Sequence, residues 1–270
     1  MTGTGTEAGY LFDQAWVTER RRLEAQGRIF NPGTFRLLSD RGVREGWACL
    51  DVGGGTGEVA TWLSDRVGSS GRVVATDIDT RFLDALPSVA NLEVRRHDIV
   101  TEPLERGAYD LVHARLVLEH LPERERALRT MIDALKPGGW LLAEDFDFHT
   151  WGVDEPQSDI NRRVGEAGLR LFALAGVDPY FGIKLPLVLE AAGLTHVDSE
   201  GRAFAIRSGS PQAEAGVLNM EQLKDKFVAT GLLTAAEVDE QIEMMRTPSA
   251  HVGYWPIMVA AWGRRAVGSG

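Results

Sequence analysis

Between residues 48 and 143 short apolar runs alternate with longer stretches of mixed, helix-period polarity. Residues 48–52 predict a buried strand, followed by a glycine-rich turn and a helix over 59–67. Residues 72–76, 92–95, 109–113 and 140–143 predict further strands. Pro122-Glu123 opens a helix, with proline suited to the first turn and the acid at the positive end of the dipole. That helix is expected to end at Lys136-Pro137-Gly138-Gly139, a cation followed by breakers. Strands and helices alternating at these lengths predict an α/β fold, a doubly wound and mostly parallel sheet.

The flanks read differently. Residues 9–46 predict helix, with Leu11, Trp16, Leu23 and Phe30 at loosely helical spacing; Asn31-Pro32-Gly33 is expected to break it before Phe35-Arg36-Leu37-Leu38. Residues 154–192 and 211–246 read as helical, and 197–207 and 254–262 as strand-like. No repeat or low-complexity linker divides the chain, so 1–270 is expected to be one domain, with a floppy tail over 1–8. Its parts would be an N-terminal helical cap (9–46), a core (47–147) and helical inserts (148–192 and 211–253). The inserts should cover the carboxyl edge of the sheet, where open α/β sheets bind ligands.

Composition removes several classes. The chain has 270 residues, 44% hydrophobic and 25% charged, which excludes a disordered or fibrous protein. Lys and Arg total 29 against 39 Asp and Glu, and a net charge of −10 argues against a nucleic-acid partner. The Arg20-Arg21-Arg22 run reads as a solvated helix face. Cys49 is the single cysteine, so neither an intramolecular disulfide nor a thiolate metal cage is available. The opening Met1-Thr2-Gly3-Thr4-Gly5-Thr6 lacks signal-peptide character, and the longest apolar stretch, 254–262, is too short for a membrane span. A cytoplasmic location without a membrane partner is expected; the oligomeric state, a homodimer included, stays open.

The sharpest motif is Leu50-Asp51-Val52-Gly53-Gly54-Gly55-Thr56-Gly57-Glu58. It fails the dinucleotide pattern, because Glu58 stands where the last glycine of G-x-G-x-x-G belongs and its carboxylate would repel a pyrophosphate. It is not a P-loop either, since no Gly-Lys-Ser/Thr follows. The loop therefore suits a ligand without phosphates, or a plain tight turn. Strand ends narrow the choice. Asp77, in Ala75-Thr76-Asp77-Ile78-Asp79, is placed to accept from both hydroxyls of a ribose. In Arg96-His97-Asp98-Ile99, Asp98 would accept from an exocyclic amine and Ile99 pack on a base.

With these segments, the 109–121 stretch and Leu135-Lys136-Pro137-Gly138-Gly139, the sequence resembles the class I S-adenosylmethionine-dependent methyltransferases. It is closest to the small-molecule group of quinone-biosynthesis and natural-product tailoring enzymes. The likeness is close over 46–146 and only an outline elsewhere. It implies a Rossmann-like seven-stranded sheet with S-adenosylmethionine as cofactor and S-adenosylhomocysteine as product. Asp51 would belong to the cofactor site, with Gly53, Gly55 and Thr56 against the methionine part. Asp77 would hold the ribose, Ile78 and Ile99 would flank the adenine, and Asp98 would accept its amine. The backbone of Ala114 and Arg115 would meet the amino-acid end, and residues 12–20 would close the site.

Methyl transfer from a sulfonium needs alignment and exclusion of water, and a base only if the acceptor must lose a proton. His149 is the first candidate base, as a strand-end residue at the carboxyl edge, with Asp147, Tyr180 and His251 behind it. His113 and His120 read as packing or capping residues. No metal is expected, because the metal-dependent branch of the family carries a ligand where this chain has Ala114, despite the acidic Glu144-Asp145-Phe146-Asp147. The residues typical of nucleic-acid methyltransferases are likewise missing after the fourth strand. Aromatic residues in the inserts, Trp151, Phe172, Tyr180 and Phe181 foremost, predict a pocket for an apolar or aromatic small-molecule acceptor in secondary metabolism, methylated at O, N or C. The rivals are a cofactor-bound cyclase or isomerase with no net methyl transfer, and a cofactor-sensing binding protein.

Overall fold

The computed structural model describes Phe12 and residues 17–267. Tyr10, Leu11 and Trp16 of the expected N-terminal cap, and the 1–8 tail, lie outside the described residues.

Helix α1 (Glu19–Asp40) precedes strand β1 (Ala48–Val52), helix α2 (Glu58–Val67) and strands β2 (Arg72–Asp77), β3 (Leu92–Arg96) and β4 (Tyr109–Arg115). Helix α3 (Arg124–Ala134) leads into the long β5 (Leu135–Asp147). Then follow β6 (Asp154–Glu155), α4 (Asp159–Leu174), α5 (Phe181–Ala191), β7 (Leu194–Arg202), β8 (Ala205–Arg207), α6 (Pro211–Ala229), α7 (Ala235–Arg246), β9 (Val252–Tyr254) and β10 (Ile257–Arg265). Seven strands form one sheet in the order β3-β2-β1-β4-β5-β10-β7. The pairs from β3 to β5 are parallel, and β10 lies antiparallel to both β5 and β7. A second sheet, β6-β9-β8, is antiparallel.

Alternate residues of each central strand feed two separate cores, as a doubly covered sheet requires. Cys49, Leu111 and Leu142 pack with Leu37 and Leu38 of α1 and Leu63 of α2. Their neighbours Leu50, Val112 and Leu141 pack on the other face with Met131 of α3 and Leu185 and Leu189 of α5. Each fully buried leucine contributes about 2 kcal/mol through the area it removes from water. A third core joins α4, α6 and α7 to Phe30, Phe146 and Phe148 and forms the cap.

Three boundaries differ from the sequence expectations. Helix α1 runs unbroken through Asn31-Pro32-Gly33. A proline inside a helix costs about 3 kcal/mol, and burial of Phe30, Leu37 and Leu38 offsets it. A Cβ at Gly33 would meet the Arg202 guanidinium, and one at Gly27, a turn earlier, the Glu58 carboxylate, so a larger residue at either place would force that side chain to shift. The C-terminal half of α1 is thus a layer of the sheet, and only its first turns belong to the cap. Likewise α5, placed in the first insert by its apolar sequence, covers β5, β7 and β10. Lastly, Lys136-Pro137-Gly138-Gly139 does not stop before the strand but belongs to β5, whose pairing with β4 shifts register between Tyr109 and Leu111.

Candidate active site

Strand order reverses between β1 and β4, so the crevice of this sheet opens above their carboxyl ends. A cavity of about 650 Å³ lies there and continues under the cap. The turn after β1 forms its floor. Gly53 and Gly55 have φ of 70° and 54°, in the left-handed region that glycine enters without penalty. The Gly53 and Gly54 amides both bond the Thr76 carbonyl, which ties the turn to the end of β2.

Asp77 closes that end of the cavity. One of its carboxylate oxygens accepts from the Gly55 amide at 3.1 Å, the other from the Asp79 amide at 3.1 Å. Burial raises its pKa against the pull of these amides. Each oxygen keeps a second lone pair, so the carboxylate can still take both hydroxyls of a ribose. Asp98 is engaged in the same way: it accepts from the Val100 amide at 2.8 Å on one oxygen and the Thr101 hydroxyl at 2.7 Å on the other. Ile78, half exposed, and buried Ile99 line the same end.

Beneath the crevice runs a buried charge network. His113 places Nδ1 2.7 Å from Asp51 and Nε2 3.3 Å from Glu144. Burial lowers the His113 pKa, but the bonds to Asp51 and Glu144 outweigh it and the net shift is upward. Glu144 also accepts from Thr34 Oγ1 at 2.7 Å and pairs with Arg202. Arg115 donates to Thr34 and Asn31, and Asn31 donates to Glu58 at 2.7 Å. Three polar residues of α1 and α2 are thereby pinned to the sheet, so the Arg115 side chain is spent within the protein. Asp51 Oδ2 finds no partner among the described residues, and Asp51 lines the cavity.

On the other side of β4, Glu119 accepts from the Phe146 amide at 2.8 Å and its own amide meets Asp145 at 3.4 Å. Burial, then the charge of Asp145, pushes the Glu119 pKa well up; burial raises Asp145 to about 8.

Asp51, Gly53, Gly55, Thr56, Asp77, Ile78, Asp98, Ile99 and Arg115 all line this cavity. Ala114 is buried within β4 and is not part of the wall. Of the four aromatic residues assigned to the acceptor, Trp151 and Phe172 line it, stacked 5.4 Å apart. Tyr180 and Phe181 do not: Phe181 starts α5, buried in the sheet core under Arg124, and the Tyr180 ring lies against His149. His149 is also outside the cavity, bonded to Asp147 at 2.7 Å with its side chain largely exposed, so strand-end position alone misplaced the candidate base.

Wall residues without an assigned role include His97, Leu116, Glu119, Gln241 and Trp255. Leu116 holds φ at 56°, a conformation costly for a branched side chain, directly after β4. Nothing in the sequence signals that strain. His97, by contrast, sat in the quoted third-strand motif. His120, read as packing, and His251, the last of the candidate bases, both reach the cavity. Among the described residues no group of three or more His, Cys, Asp or Glu is placed to hold a metal ion.

Residues 50–143 match the sequence family described as "Methyltransferase domain". A ubiquinone/menaquinone biosynthesis C-methyltransferase of Laribacter hongkongensis is 35% identical over 150 residues, covering 52% of this chain and 61% of that protein. The chain thus spans roughly half to three fifths of the curated bacterial relatives it matches. Among solved structures, Haemonchus contortus phosphoethanolamine N-methyltransferase 2, in complex with phosphomonomethylethanolamine and S-adenosylhomocysteine, superposes with a TM-score of 0.59 at 14% identity, over 99% of this chain and 62% of that one. The [4+2]-cyclase SpnF does so at 0.53 and 21% identity, over 87% and 81%. These two likenesses concern the fold. S-adenosylmethionine is the cofactor of this family, and the donor set fits it: an open glycine floor, a ribose-ready carboxylate at Asp77 and the unpartnered oxygen of Asp51. Residues 50–143 are a methyltransferase domain of the class I, S-adenosylmethionine-dependent kind.

Proposed function

We propose that the protein methylates O, N or C of a mostly apolar, aromatic small molecule, in secondary metabolism, at the expense of S-adenosylmethionine. One observation carries this reading: the cofactor-lining strand ends and the aromatic walls of the cap enclose a single continuous cavity. When bound, S-adenosylmethionine supplies an electrophilic methyl group on sulfur.

The chain's own residues do the rest. Asp77 and the Gly53–Gly55 turn orient the ligand at one end. Phe146, Phe148, Trp151, Phe172 and Trp255 form the other end with edge and stacked contacts of 5.0–6.3 Å. Such walls exclude water and hold a flat acceptor in line, the two contributions in-line transfer asks of a protein. The acceptor class is also in keeping with the quinone-pathway name of the bacterial relative.

The test incubates the protein with methyl-labelled S-adenosylmethionine and a panel of phenols, quinols and aromatic amines. Label should enter a ring compound with an equal amount of S-adenosylhomocysteine formed. Acceptor consumed to an isomeric product, with no S-adenosylhomocysteine, would replace this reading with that of a cyclase.

A further inference from the structure

The cap brings His251 and Asp154, 97 residues apart, into one pair at the acceptor end of the cavity. His251 Nε2 bonds Asp154 Oδ2, and Asp154 Oδ1 accepts from the Ser158 amide at 3.2 Å at the start of α4. The carboxylate is fully buried and the imidazole nearly so. The backbone around the pair is fixed as well. Asp154 pairs with Gly253 across β6 and β9, and the His251 carbonyl accepts from the Ser208 amide. Asp154 is the charged group bonded to the ring. Arg207 of β8, in register with Val252, is exposed, while α4 and α7 add the neutral Asn161 and Gln241 to this wall.

We propose that His251 takes the proton of a phenolic or enolic hydroxyl on the acceptor, with Asp154 as its positioning residue. This rests on the proposed methyltransferase reading and names its substrate class. A carboxylate held at Nε2 selects the tautomer with the proton on Nε2, so the lone pair resides on Nδ1. Nδ1 has no hydrogen-bond partner among the described residues, and the ring lines the cavity. The same carboxylate stabilises the imidazolium once a proton arrives. In the step, the acceptor O–H bond breaks with its electron pair left on oxygen. The proton forms an N–H bond at Nδ1, and the imidazolium charge is balanced by Asp154. The oxygen, or a ring carbon conjugated with it, then carries the electron density that a methyl group requires. A simple alcohol is too weak an acid for an imidazole, and the stacked Trp151–Phe172 wall suits a flat ring, so the acceptor is a phenol or enol rather than an aliphatic alcohol.

The experiment uses 4-nitrophenol, whose phenolate absorbs in the visible, and 4-nitrotoluene as its hydroxyl-free match. Each is titrated into the whole protein with and without S-adenosylhomocysteine, whose own affinity is measured first. 4-Nitrophenol should bind roughly tenfold more tightly than 4-nitrotoluene and show the phenolate band below the pH at which the free compound ionises. In His251→Gln the band should vanish and the preference fall to about twofold or less, with S-adenosylhomocysteine affinity unchanged as the folding control. Asp154→Asn should retain binding and lose the band. Equal binding of the two probes, absence of binding, or a band that persists in His251→Gln overturns the proposal. Failure of S-adenosylhomocysteine to bind would count against the proposed function instead, whatever the nitrophenol spectra show.

Discussion

Replacing Glu144 by glutamine keeps its shape and removes one charge from the centre of the sheet. Glu144 is fully buried and meets His113, Thr34 and Arg202, with Arg115 close by. Burial alone would raise its pKa; the His113 bond and the charges of Arg202, His113 and Arg115 outweigh burial and bring it down to about 2 from an ordinary 4.5. A depression of that size corresponds to about 3 kcal/mol of stabilisation of the folded state. Removing one member of a buried ion pair typically costs about 3–5 kcal/mol, because the partner charge stays behind. Glu144→Gln should therefore unfold about 3 kcal/mol more readily in urea at pH 7, with a Tm roughly 6–12 °C lower for a domain of this size. The sign with pH follows from the depressed pKa. The carboxylate's contribution is complete above about pH 4.5, the unfolded value, and is lost as pH falls through about 2. The gap between the two proteins should close over that window. Equal stability at pH 7, or a gap that stays constant on acidification, would refute the assignment of net stabilisation to this network.

Asp77→Ala should weaken S-adenosylhomocysteine binding in calorimetry by about 1.5–3 kcal/mol, the range for hydrogen bonds to a charged group; unchanged affinity would place the ribose elsewhere. Trp151→Ala and Phe172→Ala, in variants shown to be folded, should alter acceptor turnover by about 1–3 kcal/mol per lost contact with cofactor affinity intact, whereas Tyr180→Ala should leave turnover alone. Gly182→Ala should lower stability by about 1–3 kcal/mol in denaturant titration, because its Cβ would lie 2.7 Å from the Asp145 carbonyl and neither backbone can retreat. Burial raises the Cys49 thiol pKa far above that of a free cysteine, so a thiol reagent should fail to modify it until the protein is unfolded.

The glycine-turn end of the cavity was readable because each contribution is local: a glycine turn directly after a strand, then acids at successive strand ends such as Asp77 and Asp98. The end under the cap was not, because its groups meet only in three dimensions. His251 and Asp154 come together through a small sheet that joins three separate segments. Composition put Phe181 with Trp151 and Phe172, yet an aromatic side chain at a helix start serves a sheet core as well as a pocket wall. Pro32 and Gly33 misled for a related reason. Local propensity marks them as breakers, and the helix persists because tertiary burial of Phe30, Leu37 and Leu38 favours it there. His113 is a similar case: a lone histidine in a strand reveals nothing of the carboxylates that neighbouring strands will bring beside it.

The position of β10 has a consequence for how the chain reaches its native state. It is the last strand among the described residues, yet it lies inside the sheet, hydrogen-bonded to β5 on one side and β7 on the other. Until residues 257–265 arrive, β5 and β7 each present an open edge, and the 211–253 cap has only one fixed end. During synthesis β5 and β7 are therefore made before the strand that joins them, a window in which open edges invite pairing with other chains. Slow production of residues 257–265 should show itself as aggregation during expression rather than as a weaker finished enzyme.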